Sequence, residues 1–211
     1  GTCVTPIPLR PPALLAKQVA TVDILSNGRS TLGIGAGWHA QEFEGYSQWD
    51  PISVRVSRVE EGIRLILKLW SEDTVDFNGE FYNARGALLA PKPVQKPRPP
   101  LWFGAVGKRM LRLAAQHGDG WIPDSESISP AKYKEVLSFI RSERRNMGIS
   151  SKFDASIQVY DPNLNKAEDY LHSIEAYRNA GCEIYGVSLP YPPEEMPERI
   201  QRFARDVMVN V

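Results

Sequence analysis

From Leu14 to Trp38 the chain reads LLAKQVATVDILSNGRSTLGIGAGW, a stretch whose two halves demand different backbones. Leu15, Val19 and Val22 recur along one face of a helix, and after a Gly-bounded turn Thr31–Ala36 follows as a short strand with alternating glycines. Helix, turn and strand in that order imply a crossover between parallel strands, and the pattern extends in both directions. Upstream lies the strand candidate Thr2–Thr5; downstream lie Pro100–Ala105, Gly120–Pro123, Asp154–Tyr160 and Ile184–Leu189, each bounded by Gly or Pro and followed by a helix. This alternation predicts a parallel α/β fold. An eight-fold barrel and an open doubly wound sheet are both built from the same repeat, so alternation alone leaves both standing.

Each helix carries an apolar stripe, as an outer layer resting on a sheet requires. Val59, Ile63, Ile66, Leu67 and Trp70 give the second helix its dry face, with Glu60, Glu61, Arg64 and Lys68 expected on the wet side. Tyr133, Val136, Leu137 and Ile140 repeat the design, then Tyr170, Leu171, Ile174 and Tyr177, and finally Met196, Ile200, Phe203 and Val207. Val75–Ala90 departs from the repeat and predicts a β-hairpin around Asn78-Gly79. The Pro-rich tract Pro91–Pro100 then leads to the next strand as an extended connector.

With 211 residues, 42% of them hydrophobic, the chain has apolar material for one sizeable core, so a single domain over 1–211 is expected. Twenty-five basic residues balance twenty-five acidic ones, which removes the electrostatic reason to bind nucleic acid or an anionic membrane and favours a small-molecule partner. No apolar run approaches the roughly 18 to 20 residues of a membrane span, and the start lacks the pattern of a secretion signal. A soluble, cytoplasmic protein is the expectation. Cys3 and Cys182 match no metal-ligand spacing and are read as reduced thiols.

In parallel α/β architectures ligands bind at the carboxyl ends of strands, which singles out three junctions. Gly1-Thr2-Cys3-Val4-Thr5-Pro6 ends a strand in small and hydroxylated residues against which a flat ring could lie, or is ordinary Pro punctuation. Gly33, Gly35 and Gly37, followed by Trp38 and His39, imply that another surface approaches this backbone closely; Trp38 and His39 could equally be a packing residue and a solvent-facing one. In Gly104-Ala105-Val106-Gly107-Lys108-Arg109, two cations open a helix whose dipole disfavours them unless an anion is near, so free backbone N–H groups there could hold a phosphate. The plain alternative is a pair of exposed surface cations. Trp121, Pro123 and Asp124 end the next strand as pocket neighbours or as turn and core residues.

The segment Leu14–Trp38, RVEEGIRLILKLWSE at Arg58–Glu72, PLWFGAVGKRMLRLAAQHGDGWIP at Pro100–Pro123 and the terminal GVSLP resemble, in this order, the bacterial luciferase-like superfamily, especially its coenzyme F420-dependent branch. The resemblance implies a (β/α)8 TIM barrel of the luciferase-like type. About six βα units are represented, strands three to eight, with the hairpin at about 75–90 as an insertion. Two units, on the order of 60 to 80 residues, would precede them, and the catalytic group, unidentified here, is expected on those absent strands. The family's cofactor contacts fall on Cys3, Val4 and Thr5, with a non-proline cis peptide at Cys3–Val4; on Gly37, Trp38 and His39; and on Gly104, Ala105, Val106, Gly107, Lys108 and Arg109. Val106 replaces a smaller residue common in that turn. These three places are expected to share one mouth.

What the resemblance implies is an oxidoreductase using coenzyme F420, or alternatively FMN, with no metal. Hydride transfer to or from a small organic substrate at C5 of the deazaflavin is the first reading. An FMN-dependent luciferase-like monooxygenase is the second, and a non-catalytic flavin-binding protein the third. A homodimer or higher homo-oligomer is expected, with the hairpin or the early helices supplying contacts.

Overall fold

Strands and helices alternate as the sequence predicts in the computed structural model, which describes residues 1–160, 166–188 and 192–211. The chain divides into two units, Gly1–Gly104 and Ala105–Val211.

Unit one contains β1 (Thr5–Pro6), α1 (Pro12–Leu25), β2 (Leu32–Gly35), α2 (Ala40–Tyr46), α3 (Ile52–Ser71), β3 (Val75–Asn78), β4 (Asn83–Ala87) and β5 (Leu101–Phe103). Its three-stranded parallel sheet runs β1-β2-β5, with Thr5 beside Ile34 and with Leu32, Gly33 and Ile34 beside Leu101, Trp102 and Phe103. Pro12 opens α1, where a missing N–H costs nothing. Beyond its C-terminus Asn27 and Gly28 turn the chain at positive φ, +53° and +74°. Helix α1 packs on α3, and the Trp70 indole N–H donates to the Ala16 carbonyl at 3.0 Å.

The buried side of α1 is rotated from the expected one. Leu15, Ala16, Ala20 and Asp23 face inward, while Val22 is 53% exposed. Small alanines let the helix approach its neighbours, and Asp23 turns inward because it finds donors there. Its carboxylate accepts from Ser30 Oγ (2.8 Å), Val94 N (2.8 Å), Gln95 N (3.0 Å) and Gln95 Nε2 (2.6 Å), pinning the Pro-rich connector to the helix.

A second correction concerns Glu61, expected on the wet side of α3 and in fact 4% exposed. Alongside Leu65 and Leu69 it lines a second buried flank of the helix, one apart from the Val59–Trp70 stripe. Its carboxylate accepts three backbone N–H groups from the hairpin tip: Glu80 (2.9 Å), Phe81 (2.9 Å) and Tyr82 (2.7 Å). The hairpin is present, but Asn78 pairs with Asn83, so Gly79–Tyr82 form the tip instead of a two-residue Asn-Gly turn. Gly79 is required by proximity: a Cβ there would lie 2.0 Å from Glu61 Oε1.

Unit two contains α4 (Lys108–His117), β6 (Gly120–Trp121), α5 (Pro130–Asn146), β7 (Asp154–Val159), α6 (Ala167–Asn179), β8 (Ile184–Val187) and α7 (Met196–Asp206). Strands β6, β7 and β8 pair in parallel. Strand residues Trp121, Ala155, Ile157 and Val159 and the α5 stripe make one core with Tyr177 of α6, while Tyr170 and Ile174 of α6 cluster with Val207. Trp121 stacks on Tyr133 with ring centroids 4.7 Å apart. Each buried hydroxyl finds a carbonyl, Tyr133 on Ser156 and Tyr177 on Ile128. The α5 stripe is buried as expected. That of α7 is only partly so, since Ile200 is 53% exposed and Val207 alone is fully covered. The expected strand end Leu189, and Pro190 of the GVSLP motif, lie outside the described residues.

Candidate functional site at the strand ends

In unit one β1, β2 and β5 run side by side, with Thr5 beside Ile34 and Phe103 on the other side of Ile34, just before Gly104, while Cys3 and Val4 immediately precede β1. The Cys3–Val4 peptide is cis. Segment 2–4 lies directly on β2: Thr2 Oγ1 donates to the Gly33 carbonyl and accepts from Gly33 N, both at 3.1 Å. That contact explains the alternating glycines. A Cβ on Gly33 would sit 1.9 Å from the Thr2 carbonyl oxygen, and one on Gly35 would sit 2.7 Å from a Val4 methyl. The approaching surface implied by the glycine spacing is therefore the chain's own N-terminal segment. Gly104 N donates to the Ile34 carbonyl at 2.9 Å, extending β5 by one bond.

Side chains alternate across a strand, so the sheet has two distinct faces here. Leu32, Ile34, Leu101 and Phe103, none more than 1% exposed, share one face. Gly33, Gly35 and Trp102 share the other, with Val4 laid against the glycines. The Trp102 indole N–H is buried and meets no acceptor among the described residues.

After β2 the chain turns at Gly37, where φ is +83° and a Cβ would enter the Phe43 ring at 2.3 Å. Trp38 is 86% exposed, its ring tilted against His39 at 5.1 Å. His39 is the residue before α2. A residue that sequence reasoning passed over organises this loop. Arg55, 6% exposed on α3, donates through Nε to the Ala36 carbonyl (3.2 Å) and through Nη1 to the Asp50 carbonyl, and its guanidinium lies 3.6 Å from the Trp49 ring centre. Burial pulls its pKa down, with Asp50 opposing, yet a guanidinium remains a cation. The available signal was its place in register with Val59, Ile63 and Ile66, where a charge on an apolar stripe signifies a buried partner.

In unit two, Ala105–Arg109 lead into α4. The Ala105 carbonyl accepts from the buried Trp121 indole at 2.7 Å, fixing the start of the turn to the core. Gly107 is the cap residue; no side chain caps α4, and its first turn holds no acid. Val106, Gly107, Lys108 and Arg109 are exposed. The first-turn amides and two cations thus form a donor set suited to an anion. Trp121 is fully buried, so its place is the core. Asp124 is exposed and accepts from Ser127 N and Oγ, both at 2.8 Å, as a turn residue.

Neither cysteine is in a disulfide. Among the described residues no group of three or more His, Cys, Asp or Glu side chains could hold a metal ion, and no helix is long and apolar enough to cross a membrane.

Comparison with known proteins matches residues 1–203 to the family described as luciferase-like monooxygenase. Among curated relatives, the FMNH(2)-dependent dimethylsulfone monooxygenase of Pseudomonas putida is 33% identical over 122 residues, 57% of this chain and 34% of that protein. The phthiodiolone/phenolphthiodiolone dimycocerosates ketoreductase of Mycobacterium bovis is 33% identical over 154 residues, 70% of this chain and 38% of that protein. The chain thus spans little more than a third of the length of these relatives. Among solved structures, an F420-dependent secondary alcohol dehydrogenase with an F420-acetone adduct superposes with a TM-score of 0.76 at 23% identity, covering 88% of this chain and 72% of that one. The monooxygenase RslO1 from Streptomyces bottropensis superposes at 0.82 and 17% identity, covering 99% and 76%. These likenesses establish the luciferase-like α/β barrel type of fold, represented here by its parallel strands and intervening helices.

Proposed function

Because the chain belongs to the luciferase-like monooxygenase family, we propose that it works as an oxidoreductase on a deazaflavin of the F420 type, exchanging hydride with a small organic substrate. The observation that carries this reading is the opening of α4, with uncapped amides, no acid in the first turn, and Lys108 and Arg109 exposed beside them. That donor set fits the phosphate-bearing tail of such a cofactor. Val4, laid against Gly33 and Gly35, offers the ring an apolar surface without charge. Cys3, Thr5, Gly37, Trp38, His39 and Gly104 to Arg109 complete the proposed contacts.

When bound, a deazaflavin supplies hydride transfer at its C5 carbon; the protein supplies binding, orientation and exclusion of water. The Ala105–Gly107 turn, tied to Trp121, would hold the tail in register. Arg55 would keep the Gly37–Asp50 loop in one conformation. The similarity to a ketoreductase over 154 residues supports the hydride-transfer reading. The similarity to an FMNH(2)-dependent monooxygenase gives a second reading, reduced FMN activating oxygen. We propose a homodimer or higher homo-oligomer in either case, and the exposed Leu14, Val22 and Leu25 on α1 support it.

Fluorescence titration with F420 and with FMN separates the two. Saturable F420 binding is expected. Tight FMN binding without response to F420, together with oxygen consumption on reduced FMN, would replace the first reading by the second.

A further inference from the structure

We propose that the Trp102 indole N–H is a cofactor-binding donor, reserved for a carbonyl oxygen at the edge of the bound ring. The proposal rests on the reading above that the chain holds a flavin or deazaflavin. Trp102 is the middle residue of β5, and its neighbours Leu101 and Phe103 are wholly buried on the opposite face. Register places it beside Gly33, so no β2 side chain stands between the indole and the Val4 methyls. The result is an apolar strip one strand wide, on which the Val4 isopropyl group covers the glycine backbone and the indole stands beside it.

Among the indoles of Trp70, Trp102 and Trp121, Trp102 is the exception. The Trp70 N–H donates to Ala16 O at 3.0 Å and the Trp121 N–H to Ala105 O at 2.7 Å. The Trp102 N–H is equally shut from solvent and has no acceptor among the described residues. A buried donor left unpaired costs roughly 1–3 kcal/mol and is rare in native proteins. An indole N–H only donates, so what completes it is an acceptor. Val4, Gly33, Gly35 and the indole itself present no charge, so this face does not suit a phosphate. A planar heteroaromatic ring carrying carbonyl oxygens suits both the flat apolar surface and the lone donor.

Trp102→Phe tests this on the full chain, because it keeps an aromatic ring and deletes only the donor. Without cofactor, W102F should melt at or above the wild-type temperature, since an unpaired donor has been removed. Its Kd for whichever ring the wild type binds, FMN or F420, should rise about 3- to 10-fold, as loss of one hydrogen bond implies. The long-wavelength absorption band of the bound ring should shift between the two complexes. An unchanged Kd and spectrum overturn the proposal, as does a lower melting temperature with unchanged Kd, which assigns the N–H to the fold. Should W102F not fold, wild-type protein labelled with 15N-tryptophan serves instead. The Trp102 indole resonance, assigned by elimination from variants at Trp38, Trp49, Trp70 and Trp121, should move downfield on adding the ring; no movement overturns the proposal. Failure of the wild type to bind either ring strikes the cofactor reading itself, whereas equal binding by wild type and W102F strikes only this inference.

Discussion

Replacing Glu61 by alanine should loosen the hairpin and measurably destabilise the protein. The carboxylate holds three backbone N–H groups at 2.7 to 2.9 Å while being 4% exposed itself. Hydrogen bonds to a charged group contribute about 1.5–3 kcal/mol each. The tip amides regain some water when the acid is gone, so the three together should cost about 3 kcal/mol. For a chain of this length that lowers Tm by about 6–12 °C. Glu61→Gln should cost about half as much, because Oε1 takes two of the three bonds and an amide oxygen there would keep them, leaving an NH2 facing the Glu80 N–H. Thermal melting gives the magnitude, and hydrogen exchange at Glu80, Phe81 and Tyr82 gives the location. Gly79→Ala drives a methyl toward the same oxygen, so G79A and E61A should combine to less than their sum. An E61A protein within about 0.5 kcal/mol of wild type, with unchanged exchange at the tip, would refute the reasoning.

Gly33→Ala should be the more harmful of the two strand-glycine substitutions. Its methyl meets the backbone oxygen of Thr2, whereas Gly35→Ala meets a methyl of Val4 that Val4→Ala can remove. G33A should cost about 2–3 kcal/mol by overpacking and weaken ring binding; G35A should be rescued by V4A, both read by urea unfolding and cofactor titration. Asp23 governs the acid limb of stability. Burial opposes its ionisation, but hydrogen bonds from Gln95, Ser30 and Val94 prevail and hold its folded pKa below the ordinary value. Its stabilisation is therefore complete above the unfolded pKa, about 4, and is lost as pH falls through the lower folded value. D23N should be less stable at neutral pH and lose less between pH 5 and 2, and parallel urea midpoints for the two proteins across that range would contradict this.

The repeat of strand and helix was legible because periodicity reports which face is dry. Strand positions were recovered within a few residues, the α5 stripe residue by residue, and the α6 stripe except that Leu171 is only half-buried. Less legible were the charges that point inward. Asp23, Arg55 and Glu61 all lie on apolar flanks, and a pattern rule that sends every charge to solvent misplaces Glu61 while overlooking the other two. Many of their partners are backbone groups about twenty to seventy residues away, such as Val94 N for Asp23, the Ala36 carbonyl for Arg55 and the hairpin-tip amides for Glu61, which no local window contains. The glycines of β2 were correctly read as sites of close approach, but spacing does not say what approaches, and here it is Thr2 and Val4. Trp102 was quoted within a motif without a role, since an unpaired N–H becomes visible only once its surroundings are known.

The clasp between Asp23 and the connector also bears on how the protein is made. Val94 and Gln95 lie 71 and 72 residues after the acid they cover. At about 5–20 residues per second of synthesis, α1 leaves the ribosome several seconds before its capping amides exist. During that interval the carboxylate stays hydrated and the helix lacks its final anchorage. Closing so long a loop costs about 4 kcal/mol of chain entropy, so the clasp is expected to shut only after α3 has supplied a surface to close upon. The nascent chain therefore completes this part of unit one from its far end, with the connector sealing a helix made long before it.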